Sequence, residues 1–388
     1  MDNTKENNKT AIKFGIIALA MIQGGNLPLI PALGAIREAM PDTSPMLIQS
    51  LLGVQCLFIS FAPIFYYRVV ERISKRKLML IGIILYVGAG IAPYFFHSSI
   101  YIMLIFRAFL GIGNGLIIVL GTDLVVDFFD GHERDKMQGN ISIFSNVAGI
   151  IYQVISGFVI KGGWKNCFLV YLIALLYYTV ANVLVPEPKR AEKIERLEGD
   201  RNIRAKLDPK VLIFAFMTIM VFIAWMTGTT NMAIVLTEER MGSTAQIGMT
   251  TALSSVGGFV SAIFFGRIQS RLHHYTILLS YVLGVAGFTT LYFANVLPIF
   301  GLGALMVGGT LGLSIPATVT KVTEMVPYSA APKAISTITF SVGFGQFLQP
   351  ALFYFLGDTG FGRTAFFTSA LLLAVLSIAI LIILKKIN

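Results

Sequence analysis

Charge is what this sequence has least of. Only 13% of its 388 residues are charged, and acids are the scarcer sign, with 20 Asp and Glu against 30 Lys and Arg for a formal net charge of +10. Soluble globular chains carry about a quarter charged residues, so that class is excluded. Two cysteines, Cys56 and Cys167, and four histidines, His97, His132, His273 and His274, are too scattered to give a disulfide framework or metal-ligand spacing. The cysteines read as packing residues. The histidines fall in or near loops without a nucleophile constellation, so a membrane enzyme acting on lipids, or a transporter-like sensor, keeps only a remote place. No metal or cofactor is expected. Period-2 alternation is missing as well, which argues against a β-barrel.

What is there is apolar: 55% hydrophobic and 12% aromatic residues, with a mean hydropathy of +0.76. Runs long enough to cross a hydrocarbon core of roughly 30 Å number twelve. They are Phe14 to Ile36, Met46 to Tyr66, Leu78 to Phe96, Ile100 to Thr122, Ile141 to Ile160, Cys167 to Val185, Val211 to Leu236, Gln246 to Phe265, Thr276 to Ala294, Leu297 to Val319, Ile335 to Leu356 and Thr364 to Leu384. The first follows Lys5, Lys9 and Lys13 but is too long for a signal peptide and lacks a small-residue cleavage site, so it is expected to stay as a span. Basic loops remain cytoplasmic. With both termini inside, 24 of the 30 Lys and Arg fall in cytoplasmic segments and five (Arg37, Lys161, Lys165, Arg240, Arg363) fall outside. The expected location is therefore the cytoplasmic membrane, multi-pass. Juxtamembrane cations facing anionic headgroups account for the net charge without nucleic acid.

One long polar stretch, from Glu187 to Lys210, holds eight basic and six acidic residues and divides the spans six and six. It reads as a cytoplasmic linker between 1–186 and 211–388. The two parts repeat each other. Asp127 and Lys136 after span four correspond to Glu324 and Lys333 after span ten, 197 residues on, as Gly115 does to Gly312. Arg68 and Arg72 recur as Arg267 and Arg271 at a spacing of 199. Correspondence at successive places in the same order argues for duplication, the organisation of a transporter whose site lies between two related bundles.

The remaining basic residue, Arg107, lies inside span four. A charge within a membrane-length helix costs several kcal/mol, about 3 on insertion scales, and marks a pathway or a pairing role. Its alternative is to snorkel to the nearer interface. The only acid close to the body of an N-terminal-half span is Asp123, which makes it the sole candidate proton site there. At 1.5 Å per residue it lies about 24 Å from Arg107 along the helix, too far to pair. Arg107 must find a backbone carbonyl, an anionic substrate or water. A fixed cation without a central carboxylate favours anionic or neutral solutes over cations.

Amides within the spans add hydrogen-bonding candidates: Gln23, Asn26, Gln49, Gln55, Asn114, Asn146, Gln153, Asn231, Gln346 and Gln349. In lipid surroundings each must be paired or wet. Trp225, Tyr152 and Phe347 can form an aromatic wall or simply pack. Glycines such as Gly111, Gly113, Gly115, Gly308, Gly312 and Gly343 allow helices to slide or to pack tightly.

Arg107-Ala-Phe-Leu-Gly111-Ile-Gly113-Asn-Gly115, followed by Asp127 and Glu133-Arg134-Asp-Lys136-Met-Gln-Gly139, resembles the fourth-helix region of the major facilitator superfamily. Trp164-Lys165-Asn-Cys-Phe168 and Pro186-Glu187-Pro188-Lys189 are also similar to that family, and the resemblance covers nearly the whole chain. It implies a twelve-helix, all-α membrane protein of two pseudo-symmetric six-helix bundles. The loop from Tyr67 to Lys77 resembles the family's signature loop between helices two and three, with Tyr67, Glu71, Ser74 and Lys75 replacing its usual residues. The resemblance implies a latch on the inner face, for which Glu71, Arg72, Arg76, Asp127, Arg134 and Glu324 are candidates, with Arg72 placed to pair with Asp127. Span five carries Tyr152 and Gln153 where family antiporters often have a glycine-proline pair, which weakens export by proton exchange. The expectation is a monomeric transporter, not an enzyme, of a small organic solute, anionic or amphipathic, with or without protons. A proton-coupled multidrug antiporter is the alternative.

Overall fold

A computed structural model describes residues 2–70, 72–187, 209–327, 330–355 and 362–387. Among the described residues the chain is helical without strands. The helices are α1 (Asp2–Gln23), α2 (Leu33–Ala39), α3 (Pro45–Val70), α4 (Lys75–Phe95), α5 (Ile100–Phe128), α6 (Gly131–Val159), α7 (Ile173–Leu184), α8 (Pro209–Glu238), α9 (Thr244–Leu272), α10 (Thr276–Phe293), α11 (Leu297–Glu324), α12 (Ala331–Phe355) and α13 (Gly362–Ile387). Nine stretches among them are long and apolar enough to cross a membrane, and one of these, Thr244–Phe293, holds both α9 and α10. The first pass, α1 with α2, and α12 complete the twelve. α1 falls short of the apolar threshold because its first turns are Asn, Lys and Glu.

The sequence suggested a continuous first pass. Instead α1 stops at Gln23, the chain runs through 3-10 turns at Gly24–Asn26 and Ile30–Ala32, and helix resumes at Leu33. Gly24 and Gly25 weaken the helix there, and Pro28 and Pro31 each remove a backbone donor. The fifth pass begins earlier than its apolar run, at Gly131, and the sixth opens as a 3-10 stretch, Trp164–Leu172. Local chemistry fixes other ends. Ser243 and Gln246 form a reciprocal capping box at the start of α9.

Residues up to 187 and from 209 are called here the N- and C-terminal halves. Buried apolar side chains form two large clusters. One is drawn almost entirely from Ile16 to Val185, the other from Val211 to Leu384. Large apolar side chains also point outward from both halves, for example Ile84, Leu176, Phe216 and Ile378, as a lipid-facing surface requires. The halves meet where α3 packs on α12, α6 on α9, and α2 on α8. At the α6–α9 crossing a Cβ on Gly157 would stand 2.7 Å from the Cα of Gly248, so only glycine permits that approach. We call the face from which α1 starts the N-terminal face, and the opposite one the far face.

Candidate functional site

Arg107 is 1% exposed, inside the N-terminal half. Its Nη1 donates to Gln55 Oε1 at 3.2 Å and to the Tyr171 hydroxyl at 2.6 Å. Its guanidinium carbon lies 5.5 Å from the Phe168 ring centre and 5.4 Å from that of Tyr171. Guanidinium is weakly hydrated and stacks on rings, which explains how neutral partners can hold this cation away from water. Tyr171 in turn packs edge-on against Tyr86 at 5.6 Å. The Tyr86 hydroxyl fills the space a side chain on Gly25 would take, so the broken stretch of the first pass leans on this group. Two buried polar atoms here have no hydrogen-bond partner among the described residues, Arg107 Nη2 and the Tyr86 hydroxyl. In a low-dielectric interior an unmet guanidinium donor is costly, and it is a place where an anion or a polar solute gains most.

A second polar group crosses between the halves. Gln349 donates to Gln49 Oε1 at 2.9 Å, and Gln49 donates to Asn231 Oδ1 at 3.3 Å. Asn231 also accepts from the Gly362 backbone N–H at 3.0 Å. All three amides are fully buried. On the other side of the seam Gln153 donates to Ser255 Oγ at 2.6 Å, between α6 and α9. A small void there is lined by Gln153, Trp225, Thr229, Ser254 and Ser255, and the Trp225 indole N–H has no partner among the described residues. Toward the N-terminal face, Gly139 on α6 and Gly266 on α9 have nothing within 4 Å of where a Cβ would stand.

A third group sits at the N-terminal face. Lys75, at the start of α4, forms ion pairs with Asp123 at 2.8 Å and with Asp127, both on α5. The Tyr66 hydroxyl donates to Asp123 at 2.5 Å. The two carboxylate oxygens of Glu187 accept the backbone N–H groups of Lys75 and Arg76 at 2.8 and 2.9 Å. An anion there satisfies orphan donors and meets the positive end of the helix dipole. Nearby, Glu133 at the start of α6 pairs with Lys9 and Lys13 of α1. Those two ammonium hydrogen bonds hold its carboxyl below the usual glutamate range.

The structure brings together some of the sequence candidates and separates others. Arg107 and Gln55 share one site; Asn231 and Gln349 share another, joined by Gln49. Gln153 and Trp225 line the same void. The Gln346 backbone carbonyl lies against Gly53, and Asn114 is fully buried in α5. Tyr152 does not line the seam. It packs with Ala148 and Val170 in the N-terminal half's own core. Asp123 is not a central carboxylate either; Lys75 and Tyr66 hold it near the N-terminal face. The pairing of Arg72 with Asp127 is replaced by Lys75, because the first turn of α4 sits directly beside the end of α5. Arg72, Arg134 and Glu324 are exposed. Arg76 donates to the Asn182 carbonyl at 3.1 Å. Glu71, the Asn26 side chain and most of the linker lie outside the described residues. Among the described residues no group of three His, Cys, Asp or Glu is arranged to hold a metal ion.

The sequence model of the Major Facilitator Superfamily matches residues 14–230 and again 214–387. The chain belongs to this superfamily. It is a multi-pass membrane transporter of small solutes, not an enzyme. A 106-residue segment is 26% identical to the multidrug transporter protein MdtP of Bacillus subtilis (strain 168), covering 27% of this chain and 19% of that protein. The fold is similar to that of the nucleoside transporter NupG, with a TM-score of 0.77 at 11% identity over 96% of this chain and 99% of the other. A bacterial homologue of the human lysosomal transporter Spinster gives 0.73 at 13% identity, covering 96% of each chain. A D-xylose–proton symporter gives 0.69 at 15% identity, again over 96% of each. Superfamily membership explains why the two halves repeat. It does not single out Gln49, Lys75, Tyr171 or Glu187, which sequence reasoning did not place in a site. Only Glu187 left a local signal, a lone acid between Pro186 and Pro188 just before the linker.

Proposed function

We propose that this superfamily member carries an anionic or amphipathic organic solute across the cytoplasmic membrane by alternating access. Two six-helix bundles, 1–186 and 211–388, rock about the seam as a monomer, with both termini and the 187–210 linker in the cytoplasm. The observation that carries the substrate sign is Arg107: a buried cation held by a neutral amide, a phenol and two rings, with one nitrogen still unmet among the described residues. A solute anion completing that shell would gain a charge-assisted hydrogen bond roughly twice as strong as a neutral one. Gln55 and Tyr171 orient the guanidinium. Asn114, Gln153, Trp225, Asn231, Gln346 and Gln349 supply the polar and aromatic lining toward the seam, and Asn26 lies in the broken stretch beside it.

Thermal stabilisation by a panel of organic acids, followed by uptake of the hit into proteoliposomes, tests this reading. The expected result is saturable flux of an anion that Arg107→Gln abolishes while the variant still folds; a cation as sole substrate contradicts it. The second reading, proton-coupled multidrug efflux, is favoured by the partial match to MdtP. It requires flux that follows an imposed pH gradient and falls in Asp123→Asn. Flux indifferent to the gradient removes it. The Lys75, Asp123, Asp127 and Glu187 group, with Arg76, acts in the proposed cycle as the brace at the cytoplasmic end of the N-terminal bundle.

A further inference from the structure

On the far face the two halves leave a cleft of about 480 Å³ between them, within the range of roughly 300–1,000 Å³ usual for small-molecule sites. One wall is Ala35 and Glu38 of α2 with Trp164; the other is Thr237, Arg240 and Ile247. Glu38 and Arg240 are exposed, come from opposite halves, and form no ion pair among the described residues. Their chain neighbours are engaged elsewhere. Arg37 donates to the Thr43 carbonyl at 2.9 Å, and Glu239 is held by Arg363 at 2.5 and 2.6 Å. Each wall thus presents one free charge of opposite sign.

Arg240 also occupies an unusual backbone position. α8 ends in a Schellman turn, with Met241 N–H bonded to the Leu236 carbonyl and Arg240 N–H to the Thr237 carbonyl. Arg240 takes the left-handed place in that turn, φ 51°, where glycine is the favoured residue. Trp164 adds a half-buried indole, set edge-on against His97 at 5.8 Å.

We propose that this cleft binds a zwitterionic amphiphile, its anionic group on Arg240, its cationic group on Glu38 and its apolar body against Trp164 and Ile247. A plain anion would gain Arg240 but face Glu38, and a plain cation the reverse, so a ligand carrying both charges is selected. The site is separate from Arg107, which is buried within one half. Because its walls belong to different halves, occupancy favours the arrangement of the halves that forms the cleft.

The chain has two tryptophans, Trp164 and Trp225, which allows the probe to be located. The full-length protein in nanodiscs is titrated with Nα-dansyl-lysine, and energy transfer from tryptophan is recorded beside dansylglycine, which lacks the ammonium, and dansylcadaverine, which lacks the carboxylate. Saturable binding of the first, at least tenfold tighter than either control, is expected. Either tryptophan can report the probe, since Ile30 beside Trp225 adjoins Pro31 of the cleft; the affinity should be unchanged in Trp225→Phe and at least tenfold weaker in Trp164→Ala. Arg240→Gly should weaken binding at least tenfold without lowering Tm, since glycine relieves the left-handed turn; Glu38→Gln should weaken it similarly. Unchanged binding in Arg240→Gly, equal affinity for the three probes, no saturable signal, or an affinity lost in Trp225→Phe and kept in Trp164→Ala would each overturn the proposal. The last of these would place the probe in the central seam.

Discussion

The seam between the halves and the interior of each half use different polar chemistry. The ion pairs described above each join helices of one half: Lys75 to Asp123 and Asp127, Lys9 and Lys13 to Glu133, Arg363 to Glu239. The side-chain hydrogen bonds described above across the seam are neutral: Gln349 to Gln49, Gln49 to Asn231, Gln153 to Ser255. Magnitudes suggest why. A neutral hydrogen bond contributes about 0.5–1.5 kcal/mol net, so it can be broken and remade in each cycle. Stranding one member of a buried ion pair costs about 3–5 kcal/mol, which suits a joint that stays closed. This holds for Lys75 with Asp123 and Asp127, whereas the pairs of Glu133 and Arg363 are more exposed and weaker. The rigid bodies are tied by charge, and the moving boundary by amides and close glycine contacts.

Lys75→Ala strands the carboxylates of Asp123 and Asp127, 18% and 15% exposed, and should cost about 3 kcal/mol or more. Thermal unfolding in detergent measures it, and adding Asp123→Asn with Asp127→Asn should restore most of the loss. A single variant as stable as the parent would mean that the ionic brace carries no weight.

On the seam, Gln49→Ala removes two cross-half hydrogen bonds and leaves Asn231 and Gln349 short of partners, a loss of about 1–3 kcal/mol. It should appear as far-face opening rather than unfolding. The readout is labelling of Ala233→Cys, a fully buried position whose carbonyl lies against Gly34, by a membrane-impermeant thiol reagent. Cys56 and Cys167 are buried and give little background. At least a fivefold faster reaction is expected; an unchanged rate with lowered Tm would make the amides structural only.

The smallest effect belongs to Glu133. Its carboxyl is held low by Lys9 and Lys13, so its stabilising contribution is present above the ordinary carboxylate range and is lost as pH falls through the lowered folded value. Glu133→Gln should therefore be slightly less stable than the parent near neutrality and converge with it in acid. Exposure keeps the difference small, since surface ion pairs are weak. Parallel pH curves would show that the pairing contributes nothing.

Much of the fold was readable because its signals are local. Apolar runs marked the passes, and the stretch from Arg107 to Gly115 pointed to the superfamily. Arg107 announced itself through its cost, and the axial distance correctly kept Asp123 apart from it. Partnerships were not readable, because they join residues distant in sequence. Tyr171 is 64 residues from Arg107, and Glu187 is 112 from Lys75. Nothing in either local pattern names the other. Gln49 looked like one amide among ten, and its role at the junction of α3, α8 and α12 appears only when those helices meet. The break in the first pass was hinted at by Gly24, Gly25, Pro28 and Pro31, yet apolar length outweighed them.

In the proposed cycle a buried cation, held among the described residues by neutral groups, serves an anionic or amphipathic solute. Proteoliposome uptake of the stabilising organic acid by the parent, Arg107→Lys and Arg107→Gln tests it most directly, with Tm recorded for each. Lysine keeps the charge but loses the fork and the ring stacking, so it should retain a fraction of the flux, while glutamine should retain none although folded. Full flux from a folded Arg107→Gln would contradict the account.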